Sequence, residues 1–152
     1  MRPASCTIDD DFNEKGPESR SAPKGKFRLV AKNSPRHVLV VDDEPLIRWS
    51  VAESLSNLGY DVEQAPDAES ALRMVTTAPM PYDVVVLDLR LPDMKDLSLL
   101  GTLRQLLPAA ALILMTAFST PDIFADAAAM GAAVINKPFE LDELTRLVNE
   151  RS

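Results

Sequence analysis

The sequence predicts an open, doubly wound parallel sheet of five strands with helices on both faces, and three observations support this. From residue 37 onward, short apolar runs alternate strictly with stretches whose apolar residues recur at helical spacing, five of each. Most of the runs are continuous, as in strands buried on both faces. Strict alternation implies right-handed crossovers that place helices on both sides of a parallel sheet. The 152 residues fit one domain, or one domain with a tail.

The elements follow in order. His37-Val38-Leu39-Val40-Val41 is the first strand. Glu44-Pro45 opens a helix with proline at its first position, where the missing N–H costs nothing. Ile47, Val51, Leu55 and Leu58 form its apolar stripe, and Gly59 stops it. Residues 60–65 alternate like a strand near the sheet edge. Asp67 caps a second helix that turns Ala68, Ala71, Leu72 and Val75 inward. Residues 83–88 (Asp-Val-Val-Val-Leu-Asp) are the most strand-like segment. A leucine-striped helix over 97–107 ends at Pro108, and residues 111–115 form the fourth strand. Thr120-Pro121-Asp122 starts an alanine-rich helix closed by Gly131. A short strand over 133–135 precedes the last helix, striped by Leu141, Leu144, Leu147 and Val148.

Composition narrows the function classes. Apolar residues make up 46% and charged residues 26%, as in soluble globular proteins. No apolar run approaches the ~20 residues that span a bilayer. Cys6 is the only cysteine and His37 the only histidine, which excludes disulfide frameworks and Cys- or His-rich zinc sites. The N-terminus lacks a secretory signal, so a cytoplasmic protein without a membrane partner is expected. Residues 1–36 carry eight basic and five acidic residues, net +3, with four prolines and few large apolar groups. They are expected to form a flexible tail in which only Phe27-Arg28-Leu29-Val30 offers a docking segment. The remaining eight basic and eighteen acidic residues give the body −10, which argues against direct nucleic-acid binding. Trp49 is expected to be packed or half-exposed on its helix, and Met74, Met80, Met115 and Met130 to fill core or rim.

Function is read from the strand ends, because open α/β sheets bind ligands beyond the carboxyl ends of their strands. Asp42-Asp43 ends the first strand, Asp88 the third and Thr116 the fourth, while the fifth runs through Asn136 into Lys137-Pro138. Each residue alone is ordinary; all of them at strand ends in one crevice is not. Three converging carboxylates repel unless a cation compensates, and an all-oxygen set suits a hard ion such as Mg²⁺. Lys137 and Thr116 would surround a group with negative oxygens, and a carboxylate facing such a group can become an aspartyl phosphate.

Val40-Val41-Asp42-Asp43-Glu44, Leu87-Asp88 with Leu91-Pro92, Met115-Thr116-Ala117 and Lys137-Pro138-Phe139 resemble the receiver domain of bacterial two-component response regulators. The resemblance spans residues 37–150, and the Asp-Leu-Arg-Leu-Pro and Asn-Lys-Pro-Phe-Glu phrasing is most similar to receivers of sigma-54-type activators. It implies a flavodoxin-like strand order of 2-1-3-4-5 and a cis Lys137-Pro138 peptide. Asp88 would be the phosphoacceptor, with Thr116 and Lys137 each holding a phosphoryl oxygen. Mg²⁺ would be held by Asp43, Asp88 and the backbone carbonyl of Arg90, and by Asp42 through water. The implied donor is a histidine kinase or phosphotransfer protein, the output a downstream protein partner, and a phosphorylation-dependent dimer is allowed. The only catalysis implied is the domain's own phosphorylation and dephosphorylation.

The sequence departs from the family at three points. The glycine usual eight residues after the acceptor is Asp96, the switch aromatic is Val134, and the span from Gly131 to Lys137 is one residue short. Val134 is therefore expected to transmit little rotamer switching, leaving output to the loop after Thr116. Arg90 and Phe118, each two residues beyond a site residue, are expected to flank the path of attacking water and slow hydrolysis. The chain stops just after the last helix, so output is expected through a partner, or the chain is the receiver part of a longer transcriptional regulator. A non-phosphorylated interaction module would not need the intact set. A haloacid-dehalogenase-like phosphatase would want an acid where Arg90 stands, and no Gly-rich Lys-Ser/Thr loop supports a nucleotide enzyme.

Overall fold

The computed structural model describes residues 36–94 and 96–151. Of the tail expected over residues 1–36, only Arg36 lies within them; Cys6 and residues 27–30 lie outside. The described elements are β1 (His37–Val41), α1 (Pro45–Asn57), β2 (Asp61–Ala65), α2 (Ala68–Thr77), β3 (Val84–Asp88), α3 (Ser98–Leu106), β4 (Ala111–Thr116), α4 (Pro121–Ala129), β5 (Ala132–Asn136) and α5 (Leu141–Arg151). All strand pairs are parallel and the order is β2-β1-β3-β4-β5, as the resemblance implied. The register sets Asp88 beside Met115 and Thr116 beside Asn136, so the polar ends of β3, β4 and β5 lie nearly flush.

The pleat divides the apolar strands between two cores. Leu39, Val41, Val85, Leu87, Leu112 and Leu114 join Ala68 and Ala71 of α2, Leu99, Leu100 and Leu103 of α3 and Ala127 of α4. Val38, Val40, Val84, Val86, Ile113 and Met115 join Val51 and Leu55 of α1 and Leu144 and Val148 of α5. Each fully buried Val, Leu or Ile contributes about 1.5–3 kcal/mol relative to exposure. This is why the continuous runs of β1, β3 and β4 form the centre of the sheet and the polar β2 its edge.

Helix ends follow local chemistry. Asp67 accepts from the N–H of Ser70 at 2.7 Å, and Asp93, from the loop after β3, accepts from the N–H groups of Ala68 and Glu69 at 2.9 Å each. Thr120 caps α4 through the N–H of Ile123. Gly59 and Gly131 sit at φ +97° and +73°, where a side chain would be strained, and they terminate α1 and α4. Arg104 binds the far ends of α3 and α4 together, donating to the carbonyls of Met130, Leu107, Pro108 and Ala110 at 2.8–3.3 Å.

Several side-chain expectations are corrected. Leu58 caps α1 instead of striping it and is exposed, because the left-handed turn at Gly59 swings it off the inner face. Leu141 and Met80 are also exposed, whereas Trp49 is half-exposed as expected. β4 runs one residue further than expected, to Thr116, and β5 is one residue longer at each end, Ala132–Asn136.

Candidate functional site

β1 delivers the chain to Asp42, which is fully buried and hydrogen-bonded through its amide, its carbonyl and both carboxylate oxygens. Its N–H donates to Ala65 O (3.1 Å), its C=O accepts from Arg48 Nη1 (2.8 Å), Oδ1 accepts from the N–H of Glu44 (2.9 Å) and Oδ2 from Lys137 Nζ (3.1 Å). Asp43, the next residue, is exposed and makes no hydrogen bond among the described residues. Asp88 ends β3, buried, with Oδ1 accepting from the N–H of Arg90 (3.3 Å) and Oδ2 from Lys137 Nζ (3.2 Å). One carboxylate oxygen from each of Asp42, Asp43 and Asp88 lies within 4.8 Å of the others.

A single ammonium therefore serves several acids, since Lys137 Nζ also approaches Glu44 at 3.8 Å. Burial pushes the Asp88 carboxyl up from its ordinary range, and Asp42 adds to this, against the pull of Lys137 and the Arg90 amide. Burial works against the charge of Lys137, but Asp42 and Asp88 outweigh it and hold the ammonium above its ordinary value. Acids that one lysine does not fully compensate fit a hard divalent ion. Asp43 offers carboxylate oxygens that accept no hydrogen bond among the described residues, whereas each oxygen of Asp42 and of Asp88 already accepts one.

Thr116 ends β4, buried, and accepts the N–H of Phe118 at 3.0 Å without spending its own O–H in that bond. Asn136 accepts from the Ser119 hydroxyl, tying the β4–α4 loop to the end of β5. The guanidinium of Arg90 lies 4.7 Å from the centroid of the exposed Phe118 ring, bridging the two loops that carry the expected lifetime residues. Val134 is half-buried and packs against the core shared by α2, α3 and α4. The Lys137-Pro138 peptide is cis.

The sequence reading missed Arg48 and the role of Glu44. One signal was available: a cation four residues into a helix opposes the helix dipole and invites a reason. Beside Lys137, between α1 and the start of α5, runs an apolar groove of about 570 Å³ lined by Leu46, Ile47, Val51, Pro138, Phe139 and Leu141. Leu46 is 72% and Trp49 56% exposed.

Comparison with known proteins agrees with this geometry. The family described as response regulator receiver domain matches residues 38–149. The transcriptional regulatory protein KdpE of Mycobacterium tuberculosis is 40% identical over 111 residues, covering 72% of this chain and 48% of that protein. The DNA-binding transcriptional regulator NtrC of Escherichia coli is 35% identical over 112 residues, covering 73% of this chain and 24% of that protein. The chain thus spans at most about half the length of these curated relatives. Among solved structures, a CheY-like receiver domain protein from Methanospirillum hungatei superposes with a TM-score of 0.71 at 29% identity, covering 77% of this chain and 93% of that one. The chemotaxis response regulator CheY4 of Vibrio cholerae gives 0.70 at 27% identity, covering 78% and 100%.

Proposed function

The chain belongs to the response regulator receiver family, and we propose on that premise that Asp88 accepts a phosphoryl group from a histidine kinase or phosphotransfer protein in a Mg²⁺-dependent reaction. The observation that carries this reading is the convergence of Asp42, Asp43 and Asp88, with the ammonium of Lys137 paired to Asp42 and Asp88.

Receiver domains bind Mg²⁺ at this acidic pocket. Here Asp43, Asp88 and the Arg90 carbonyl would hold the ion, with Asp42 contributing through water as the family resemblance implies. When bound, the ion neutralises charge on the acids and on the incoming phosphoryl group. An oxygen of Asp88 attacks phosphorus as the bond from phosphorus to the donor nitrogen breaks in line behind it. Lys137, already 3.2 Å from Asp88 Oδ2, turns to one phosphoryl oxygen, and the Thr116 hydroxyl donates to another. The protein's contribution is positioning and charge, as is general for phosphoryl transfer. The domain catalyses only its own phosphorylation and dephosphorylation.

The apolar groove beside Lys137, with the exposed Leu46 in its wall, is where the donor protein docks. Arg90 and Phe118 cover the site and lengthen the life of the acyl phosphate. Val134, a small side chain at the family's switch position, leaves output to the loop after Thr116. Output passes through a partner protein or, since the relatives are much longer, through further domains of a longer regulator. Intact mass after incubation with a small-molecule phosphodonor tests the reading. The expected result is a Mg²⁺-dependent gain of one phosphoryl group, absent in Asp88→Asn; no gain under any condition overturns it.

A further inference from the structure

We infer that Arg48 is a positioning residue for the metal pocket: its guanidinium locks the carbonyl of Asp42, and with it the turn that aims Asp43 at Asp88. The inference rests on the function proposed above. Arg48 donates from Nη1 to Asp42 O at 2.8 Å and from Nε to Gln64 Oε1 at 3.3 Å. It makes no ion pair with a carboxylate among the described residues, so a backbone carbonyl and a side-chain amide absorb its charge. The cation also stands on the fourth residue of α1, close to the positive end of the helix dipole, where charge alone would not favour it.

The geometry gives the arginine a task. Three residues, Asp42 to Glu44, connect β1 to α1 and must bring two consecutive carboxylates toward a third. The Asp42 carbonyl belongs to the peptide plane that leads into Asp43, so rotation of that plane swings Asp43 away from the pocket. Asp43 has no hydrogen bond of its own to resist this. Arg48 holds the plane from one side, while the Asp42 N–H, bonded to Ala65 O at 3.1 Å, holds the preceding one. Gln64 and Ala65 are neighbours on β2, so the fork and the Asp42 N–H together tie the acidic turn to the end of the edge strand at two adjacent points. A planar guanidinium can serve both acceptors at once, whereas a lysine ammonium gives a point charge without the fork.

The sign of the effect separates this role from a plain surface charge. A nearby cation repels Mg²⁺, so deleting a mere charge would tighten binding; deleting a positioning residue loosens it. The test is Mg²⁺ titration followed by backbone amide shifts on the full chain, without phosphodonor, for wild type, Arg48→Met, Arg48→Lys and Gln64→Ala. Arg48→Met is expected to weaken Mg²⁺ binding roughly 10-fold or more, the range seen when the supports of metal ligands are lost. Arg48→Lys should fall between, and Gln64→Ala should lose about threefold or less, as for one exposed hydrogen bond. The phosphorylation rate of Arg48→Met should be low at limiting Mg²⁺ and return toward wild type at saturation, a split that lowered stability alone would not produce. Unchanged or tighter binding in Arg48→Met overturns the inference. Should Arg48→Met fail to fold, wild-type Mg²⁺ binding by Arg48→Lys overturns it instead. If wild type itself takes up no Mg²⁺, the proposed function falls first and this inference with it.

Discussion

The two ends of the same sheet carry similar residues and use them in opposite ways. At the amino end, the polar groups of His37, Glu63, Tyr82 and Asp83 are consumed by one another and by the backbone. His37 stacks on Tyr82 with ring centroids 4.4 Å apart, the Tyr82 hydroxyl donates to Glu63, and Asp83 Oδ2 accepts the N–H of His37 at 2.8 Å. Burial, the Glu63 hydrogen bond and the Glu63 and Asp61 charges raise the Tyr82 hydroxyl well above its ordinary range, so it remains a donor. At the carboxyl end, Asp42 and Asp88 share one close ammonium, while Asp43, within 4.8 Å of both, engages no partner among the described residues. A carboxylate that satisfies its own backbone is structural, and a set of carboxylates left under-compensated is poised for a ligand.

Five experiments break or sharpen that contrast, in order of expected effect. Asp88→Asn should abolish phosphoryl uptake in an intact-mass assay. It should also raise the melting temperature of the metal-free protein by a few degrees, because it removes a charge that burial disfavours. A retained mass gain would move the acceptor elsewhere. Asp83→Ala should do the reverse. It strips the acceptor from the partly buried His37 amide and should cost about 1–3 kcal/mol in denaturant unfolding, while phosphoryl uptake persists. Leu46→Asp should slow transfer from a protein donor by about tenfold, the cost of losing one anchoring contact, and leave small-molecule labelling intact. Equal slowing with both donors would mean that the groove is not the docking surface.

Phe118→Ala should shorten the phosphoryl lifetime severalfold in a decay assay, since it opens the ring that Arg90 covers; an unchanged lifetime removes both residues from that role. The smallest effect is on pH dependence. The folded state keeps the Asp88 proton to higher pH than the unfolded chain does. Its contribution to stability is therefore complete below the ordinary carboxylate pKa of about 4 and declines as pH rises through the raised value. Denaturation curves of metal-free wild type should show this decline relative to Asp88→Asn; parallel curves would argue that Asp88 is not strained.

Ten elements were legible because four strands are short apolar runs, the edge strand β2 alternates, and the helices carry stripes, and the punctuation was local: Pro45, Asp67, Gly59, Thr120 and Gly131 act within their own turns. The reactive residues were legible for a different reason. Asp42, Asp43, Asp88, Thr116 and Lys137 all follow the last apolar residue of a strand, and a parallel sheet brings such positions together. Arg48, Asp93 and Arg104 were not legible. Each acts by bonding backbone groups of a segment that the fold alone brings near, and such partners leave no periodicity in the chain. Leu58 misled because its spacing fits the α1 stripe, while the positive φ of the next residue ends the helix first.

The division of the interior by the sheet has a consequence for how variants combine. Val38 and Leu39 are neighbours in sequence, yet one packs with α1 and α5 and the other with α2, α3 and α4. Side chains on opposite faces share no packing partners, so losses on the two sides should add, within about 0.3–0.5 kcal/mol, with little coupling. The α1–α5 side, with its exposed groove, can accumulate substitutions that suit one partner while the α4 side diversifies toward another. The two histories are joined only at the rim of strand ends where Asp88 sits.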